Sequence, residues 1–230
     1  MQFISSLDNL TLSQREIISA TPTESPSSVT AVKVLHDGGF TAIELCQITQ
    51  AAVRNLKFLK DNKVVHANIK PETIHVQKSS LDIHYTFLQF VDTRYSRHFT
   101  QAYPEGGTVS YKPPEHLDET QRVGYVDKID PWAAGVTLYI LCTNDKIRGK
   151  FKKINDRYGT TKTPVTISKE ILYPWIAKQR RLLRGYSTSS KMAELLYHLL
   201  DPDPKTRWSA DEAIRVSESL KTDAFWLFFK

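Results

Sequence analysis

The sequence has few cysteines and no long apolar run. Cys46 and Cys142 are its only cysteines, and both lie within apolar stretches. A disulfide framework is therefore not expected, and two buried thiols in a reducing compartment are the simpler interpretation. The first residues, MQFISSLDNL, lack the basic start and apolar segment of a signal peptide, and no stretch approaches the roughly 18 apolar residues of a membrane helix. These absences predict a cytoplasmic or nuclear protein.

The composition provides enough apolar material for one substantial core. Hydrophobic residues make up 40% of the 230 residues and charged residues 24%, which is typical of a globular protein and not of a disordered chain. This length fits one large domain. The formal net charge of +6 allows an acidic partner without identifying one.

Periodicity predicts a mainly helical chain with a short β-containing start. Residues 1–27 hold two strand-like runs, QFISSL and REIIS, and then a connector rich in proline and serine. Helices are predicted from residue 28 to the glycines of HDGG, over 41–61, 187–200 and 209–219, and in IDPWAAGVTLYILC. The last of these is apolar nearly all round, which is typical of a helix at the centre of a domain.

A Pro-bearing loop between apolar segments is the first candidate site. VVHANIKPETIHV, residues 64–76, begins and ends with β-branched residues, and HYTFLQFVD has the composition of a strand. We therefore predict a small hairpin around the loop. Residues 94–128 have no helical periodicity, and such a long irregular stretch is typically functional.

Four segments, in this order, resemble motifs of the protein kinase superfamily. HANIKPET resembles the catalytic loop H-R-D-L-K-P-E-N, and GTVSYKPPE resembles the end of the activation segment, with Pro114 and Glu115 at the last two letters of A-P-E. KIDPWAAGVTLYI resembles the buried central helix, and LLDPDPKTRWSADEAI resembles the closing motif with its Arg207. The resemblance implies a mainly α (α+β) kinase-like fold.

The same resemblance implies a division of the chain and a set of missing parts. Residues 1–230 would form a single kinase-like domain, with residues 1–27 as remnant strands and hinge of the N-terminal lobe and residues 28–230 as the helical C-terminal lobe. The sequence would then lack the Gly-rich loop, the strand lysine and the helix glutamate that hold the nucleotide phosphates. No cofactor and no bound metal are therefore expected.

The catalytic-loop positions are degenerate in this resemblance. Asn68 stands where the family has its catalytic aspartate, and Thr73 replaces the asparagine that holds a second Mg²⁺. Asp92 is the one residue of D-F-G that remains, although a turn or cap role is more common for an isolated carboxylate. Lys70 matches the lysine that contacts the transferred phosphate, with an ordinary surface cation as an equal alternative. His75 replaces an aliphatic residue under the adenine.

Positions that shape the lobe are retained. Glu115 and Arg207 match a buried ion pair, Asp130 matches the aspartate that holds the backbone of the catalytic loop, and His66 matches the histidine beneath that loop. Ala67 replaces the loop arginine that in many kinases pairs with a phosphorylated activation segment. The resemblance therefore predicts a preserved structure without the groups that bind metal or move protons.

Residues 145–184 form a strongly basic segment. It contains three acidic residues and twelve basic ones: Lys146, Arg148, Lys150, Lys152, Lys153, Arg157, Lys162, Lys169, Lys178, Arg180, Arg181 and Arg184. A solvated helix face, a docking surface for an acidic protein, and a site for nucleic acid or phosphoinositide all remain open interpretations. The candidate partner-binding residues are Lys150, Lys152, Lys153, Arg180, Arg181 and Arg184.

These observations predict a catalytically inactive pseudokinase that acts as a protein-binding scaffold or allosteric partner. A truncated N-terminal lobe would leave apolar surface near residues 1–30 and around loop 64–76, which another protein, such as a kinase or a second copy of this chain, could cover. One alternative is an atypical minimal kinase that needs a partner to complete its active site. A second alternative is binding of nucleic acid or another polyanion through residues 145–184.

Overall fold

The computed structural model describes residues 28–78, 85–101, 104, 106–117, 124–143 and 168–220. These residues form a mainly helical structure with short strands, as the sequence predicts. The strands are β1 (Ser28–Thr30), β2 (Val64–Val65), β3 (Ile74–Lys78), β4 (Tyr85–Phe90) and β5 (Arg97–His98). The helices are α1 (Ala31–His36), α2 (Ala42–Asp61), α3 (Ile129–Cys142), α4 (Tyr173–Tyr186), α5 (Lys191–Leu199) and α6 (Ala210–Ser217). The two strands predicted in residues 1–27 lie outside the described residues.

Two helices begin with a capping box. The Thr41 side chain accepts a hydrogen bond from Glu44 N–H, and the Glu44 carboxylate accepts one from Thr41 N–H at the start of α2. Ser209 and Glu212 make the same exchange before α6. These contacts satisfy N–H groups that a helix terminus otherwise leaves unpaired. No helix among the described residues is both long enough and apolar enough to cross a membrane.

Two predicted elements differ from the structure. Residues 28–30 are a strand and not the first turn of a helix, because Val29 pairs with Val76 of β3 in an antiparallel arrangement. The loop of residues 66–73 is not the turn of a hairpin, since β2 pairs with β5 and β3 pairs with β4. In both cases pairing with distant residues decides the conformation, and local periodicity carries no information about it.

Helix α3 is the centre of the core. All 14 of its residues are buried, as its apolar composition predicts. Gly135 allows α5 to approach closely, because a Cβ atom there would lie 2.9 Å from the Cβ atom of Leu199. The apolar faces of α2 and α5 belong to the same cluster of buried side chains. Helix α3 is therefore the most buried helix of the described structure, and the loop of residues 66–73 is attached to it.

Asp130, in the first turn of α3, fixes that loop. Its Oδ2 atom accepts a hydrogen bond from His66 N–H at 2.6 Å, and its Oδ1 atom accepts one from Ala67 N–H at 2.9 Å. The His66 ring lies beneath the loop, 5.8 Å from the Phe90 ring, and its Nδ1 atom accepts from Asn68 N–H. Burial raises the pKa of Asp130 to about 6 and lowers that of His66 to about 4.

A second buried interaction joins residues far apart in the sequence. The Arg207 guanidinium donates from Nη1 to Glu115 Oε1 at 2.5 Å and from Nη2 to Glu115 Oε2 at 2.9 Å, and both side chains are almost completely buried. Arg207 also donates to the carbonyls of Asp201 and Lys128 and lies over the Trp132 ring. Arg207 thus connects the segment around Glu115 to α3 and to the turn before α6.

We predict that Arg207→Met lowers the free energy of unfolding by about 3–5 kcal/mol, because Glu115 would remain as an unpaired buried charge. Arg54→Met is the matched control: its ion pair with Glu218 leaves both side chains more than half exposed, so the cost should be below about 1 kcal/mol. Urea denaturation followed by circular dichroism measures both. Equal costs for the two variants would contradict the predicted role of the buried pair.

Acidification should destabilise the fold through His66. A histidine whose pKa is lowered from 6.5 to about 4 stabilises the folded state above pH 6.5, and this contribution disappears as the pH falls towards 4. Between pH 7 and pH 5 the wild type should therefore lose about 2 kcal/mol of unfolding free energy relative to a His66→Gln variant. Asp130 is present in both proteins, so its opposite contribution cancels in the comparison. Parallel pH profiles for the two proteins would refute this role.

Candidate functional site

The backbone of the candidate loop is held in an uncommon conformation. Ala67 has a positive φ of 63°, and Gly107 lies directly against it with a φ of 90°. A Cβ atom at Gly107 would come within 2.2 Å of the Ala67 carbonyl oxygen, so only glycine fits this approach. The contact brings the next residue, Thr108, to the loop.

Asn68 is buried and its carboxamide is bonded on both sides. The Nδ2 atom donates to Asp92 Oδ2 at 2.9 Å, and the Oδ1 atom accepts from the Thr108 hydroxyl at 3.2 Å. The acidic partner on one side and the hydroxyl donor on the other fix the orientation of the amide. Asn68 therefore presents a donor, and not an acceptor, to the Asp92 carboxylate.

Thr108 links Asn68 to Lys70. The Lys70 ammonium donates to Thr108 Oγ1 at 2.8 Å, and the same hydroxyl donates onward to Asn68. Sequence analysis did not select Thr108 as a site residue. Its signal was the pair of glycines that precedes it in GGTVSY, since glycines of this kind permit a close backbone approach.

Thr73 is turned into the loop. Its buried hydroxyl donates to the Asn68 carbonyl oxygen at 2.6 Å and accepts from Lys70 N–H at 3.1 Å. Both partners are backbone atoms of the loop itself. Thr73 thus closes the turn from within and does not extend towards Asp92.

Asp92 is held by an arginine two residues later. Arg94 donates from Nε to Asp92 Oδ1 at 2.5 Å and from Nη2 to Asp92 Oδ2 at 3.0 Å. This bidentate contact with the Arg94 guanidinium keeps the pKa of the Asp92 carboxyl below its ordinary value. Asp92 itself has a left-handed backbone conformation, with φ 66° and ψ 64°. The Asp92 carboxylate is therefore ionised, and its positively charged partner is a side chain of the protein itself.

The residues at this position do not fit the magnesium ion that the kinase resemblance implies. Mg²⁺ prefers an octahedral set of oxygen ligands, normally including one or two carboxylates. Here Asp92 accepts from Arg94 and Asn68, while the Thr73 hydroxyl is directed to the backbone. No group of three or more His, Cys, Asp or Glu side chains that could hold a metal occurs in the described part of the chain.

The remaining positions of residues 64–76 are mostly buried within the chain. His75 is half-buried on β3, where it is paired with Thr30 on one side and Gln89 on the other. Residues 64–69 are all buried, as are Pro71, Thr73 and Ile74. Among the described residues, the apolar side chains of loop 64–76 are buried within this chain, so the prediction of exposed apolar surface is wrong for the loop itself. The corresponding prediction covers residues 1–30, and residues 1–27 lie outside the described residues.

The basic segment is described in part. Lys150, Lys152 and Lys153 lie outside the described residues, whereas Arg181 and Arg184 are exposed on α4. Arg180 is not a free surface cation: it pairs with Asp201 at 2.5 Å, donates to the Tyr197 carbonyl oxygen and lies over the Tyr197 ring. The guanidinium joins α4 to α5 and the turn that follows, and its role as a partner-binding residue stays a prediction.

Comparison with known proteins agrees with the kinase resemblance. The family model described as protein kinase domain matches residues 18–217. The chain is 28% identical over 163 residues to serine/threonine-protein kinase DCLK3 of Mus musculus, and the aligned region covers 70% of this chain and 18% of that protein. It is 28% identical over 186 residues to calcium-dependent protein kinase 22 of Oryza sativa subsp. japonica, which covers 79% of this chain and 29% of that protein.

A fungal relative gives the same result. The calcium/calmodulin-dependent protein kinase of Metarhizium anisopliae is 23% identical over 188 residues, which covers 79% of this chain and 44% of that protein. The chain therefore spans less than half the length of these relatives. Since the family model matches most of the sequence, and the fold is the mainly helical one that the motifs imply, this chain belongs to the protein kinase family.

Proposed function

We propose that this chain is a catalytically inactive member of the protein kinase family that acts by binding another protein, as a scaffold or allosteric partner. The observation that carries the proposal is the hydrogen bonding of Asn68, whose amide nitrogen donates to Asp92 at the position of the catalytic base. A base must accept the proton of the substrate hydroxyl. The Asn68 carboxamide is neutral and has no basic atom that could do so.

The second support is that the Asp92 carboxylate beside the loop already has a cationic partner. In the family, phosphoryl transfer depends on metal ions that bridge the phosphates and neutralise developing charge. Asp92 is already neutralised by the Arg94 guanidinium, and Thr73 offers its hydroxyl to the backbone. Proton removal and metal binding are thus both compromised by side chains that the chain itself positions.

Protein binding is the function that a preserved lobe can still perform. The Glu115–Arg207 pair and the contacts of Asp130 with the loop keep the helical structure in one arrangement. A preorganised surface loses little conformational entropy on association, and this favours binding. A binding role requires the shape of the lobe but not its reactive groups.

The exposed face of α4 is the surface best suited to such a partner. Leu182 is 47% exposed and Tyr186 is 36% exposed, and Arg181 and Arg184 are exposed on the same helix. Arginine and tyrosine are enriched at the energetic centres of protein interfaces, and apolar contact adds to the attraction of the charges. This surface fits an acidic protein with apolar side chains, such as another kinase.

The alternative of an atypical minimal kinase has one specific support. Lys70 and Asp92 are both present, and the Lys70 ammonium reaches Thr108 beside Asn68. A partner that supplies a base and phosphate-binding groups could use these residues. This alternative requires the Arg94–Asp92 contact to open, because Asp92 would otherwise be unable to bind a metal ion.

A phosphotransfer assay separates the two functions. With Mg·ATP and a generic protein substrate, the wild type is expected to show no transfer above that of Lys70→Ala and Asp92→Ala variants, since a missing base alone typically costs about 10²–10⁴-fold in rate. Incorporation of radiolabelled phosphate is the measurement, with an active kinase as the positive control. Transfer by the wild type that disappears in both variants would establish the enzyme alternative instead.

The partner surface is tested by affinity purification with mass spectrometry. An Arg181→Glu/Arg184→Glu variant is expected to lose its specific partner by about tenfold or more, since reversed charges repel an acidic surface. A Lys205→Glu/Arg215→Glu variant makes the same change in net charge at exposed positions outside residues 145–184 and should retain the partner. Equal retention by the two variants would place the binding surface elsewhere on the chain.

A further inference from the structure

We propose that Arg94 takes the place of the divalent cation at Asp92, so that the loop excludes magnesium and removal of the guanidinium creates a divalent-cation site. The inference deepens the proposed function and rests on it, since it assigns the loss of metal binding to one named side chain. It concerns binding of the ion and not phosphoryl transfer. The two proposals can therefore fail separately.

The contact geometry is the first support. Asp92 accepts two N–H groups from Arg94, one at each carboxylate oxygen, and a third from the Asn68 amide. A directly bound Mg²⁺ would have to lie about 2.0–2.1 Å from one of these oxygens, along the lone-pair directions that the donors now use. Binding the ion therefore requires at least one of these hydrogen bonds to break.

Electrostatics is the second support. The Arg94 side chain is 65% exposed and the Asp92 side chain is 22% exposed, so the guanidinium is the more solvent-exposed partner of the pair. A divalent ion bound at Asp92 would lie beside the positive charge of the guanidinium, and the two like charges would repel each other. A guanidinium is always protonated, so the repulsion persists over the whole physiological pH range.

The neighbouring side chains complete the exclusion while Arg94 is in place. Asn68 turns its amide nitrogen towards Asp92, and Thr73 commits its hydroxyl to the loop backbone. Without the guanidinium, rotation of the Asn68 carboxamide would present its oxygen beside the Asp92 carboxylate. One carboxylate, one amide oxygen and retained waters form a weak but acceptable ligand set for a hard cation.

Binding of Mn²⁺, followed by electron paramagnetic resonance of the free ion, tests the proposal. The wild type is expected to bind no Mn²⁺ at Asp92 up to about 1 mM, which is the upper range of weak oxygen-ligand sites. Arg94→Ala should bind one Mn²⁺ at least about tenfold more tightly than the wild type. An Arg94→Ala/Asp92→Asn double variant should return to wild-type behaviour.

Arg97→Ala is the matched control. It removes the same charge three residues away, and the Arg97 side chain donates to the carbonyls of Arg94 and Ser96 and not to Asp92. It should therefore bind no more Mn²⁺ than the wild type. A gain in Arg97→Ala equal to that in Arg94→Ala would overturn the proposal, because net charge alone would then explain the effect.

Two further results would overturn the inference. One is Asp92-dependent binding by the wild type with an affinity close to that of Arg94→Ala, and the other is no gain in Arg94→Ala. Circular dichroism establishes that each variant is folded, and Arg94→Gln replaces Arg94→Ala if the alanine variant is not. Because phosphotransfer is measured separately, a negative Mn²⁺ result leaves the proposed function standing, and active wild-type enzyme would refute that function whatever the Mn²⁺ result.

Discussion

The hydrogen bonds of the Asp130 carboxylate with the backbone of residues 66 and 67 are the contact on which the site depends. Residues 66–69 of the loop are buried and lie outside any helix or strand, so their N–H groups have no partner in a helix or a sheet, and an unpaired buried N–H is costly. Asp130 supplies two acceptors from the first turn of α3, where the helix dipole also favours a negative charge. The left-handed conformation of Ala67 and the close approach of Gly107 occur at the residues that this attachment holds.

The shape of the loop and its chemistry have separate origins in this chain. Shape comes from buried groups, namely Asp130, His66 and the Glu115–Arg207 pair. Chemistry would come from groups at the edge of the loop. There a chain of hydrogen bonds runs from Lys70 through Thr108, Asn68 and Asp92 to Arg94, and Asp92 is the one carboxylate in that chain. A site with two adjacent carboxylates needs an external cation to relieve their repulsion. This one contains its own cation.

The sequence predicted the fold from features that local chemistry determines. The uniform apolarity of α3 and the capping boxes at Thr41 and Ser209 are readable without the structure, because they depend on residues within a few positions of one another. The pairing of Val29 with Val76 was not predictable, since it depends on residues distant in the sequence. At the site, the motif positions of Asn68 and Thr73 were readable from the sequence. The roles of Thr108, Arg94 and Arg180 were not, because they depend on which side chain or backbone group each one contacts in the folded chain.

The connected side chains from Lys70 to Arg94 also bear on how the molecule responds to its surroundings. A nucleotide site with unpaired charges when empty is stabilised when its ligand binds. The difference in free energy between the empty and the liganded site allows the ligand to shift the population of conformations. Here the Asp92 carboxylate is already paired with Arg94 in the unliganded arrangement, so a cation at Asp92 gains little from reordering the loop. The loop is therefore suited to keeping one arrangement whether or not a cation is present.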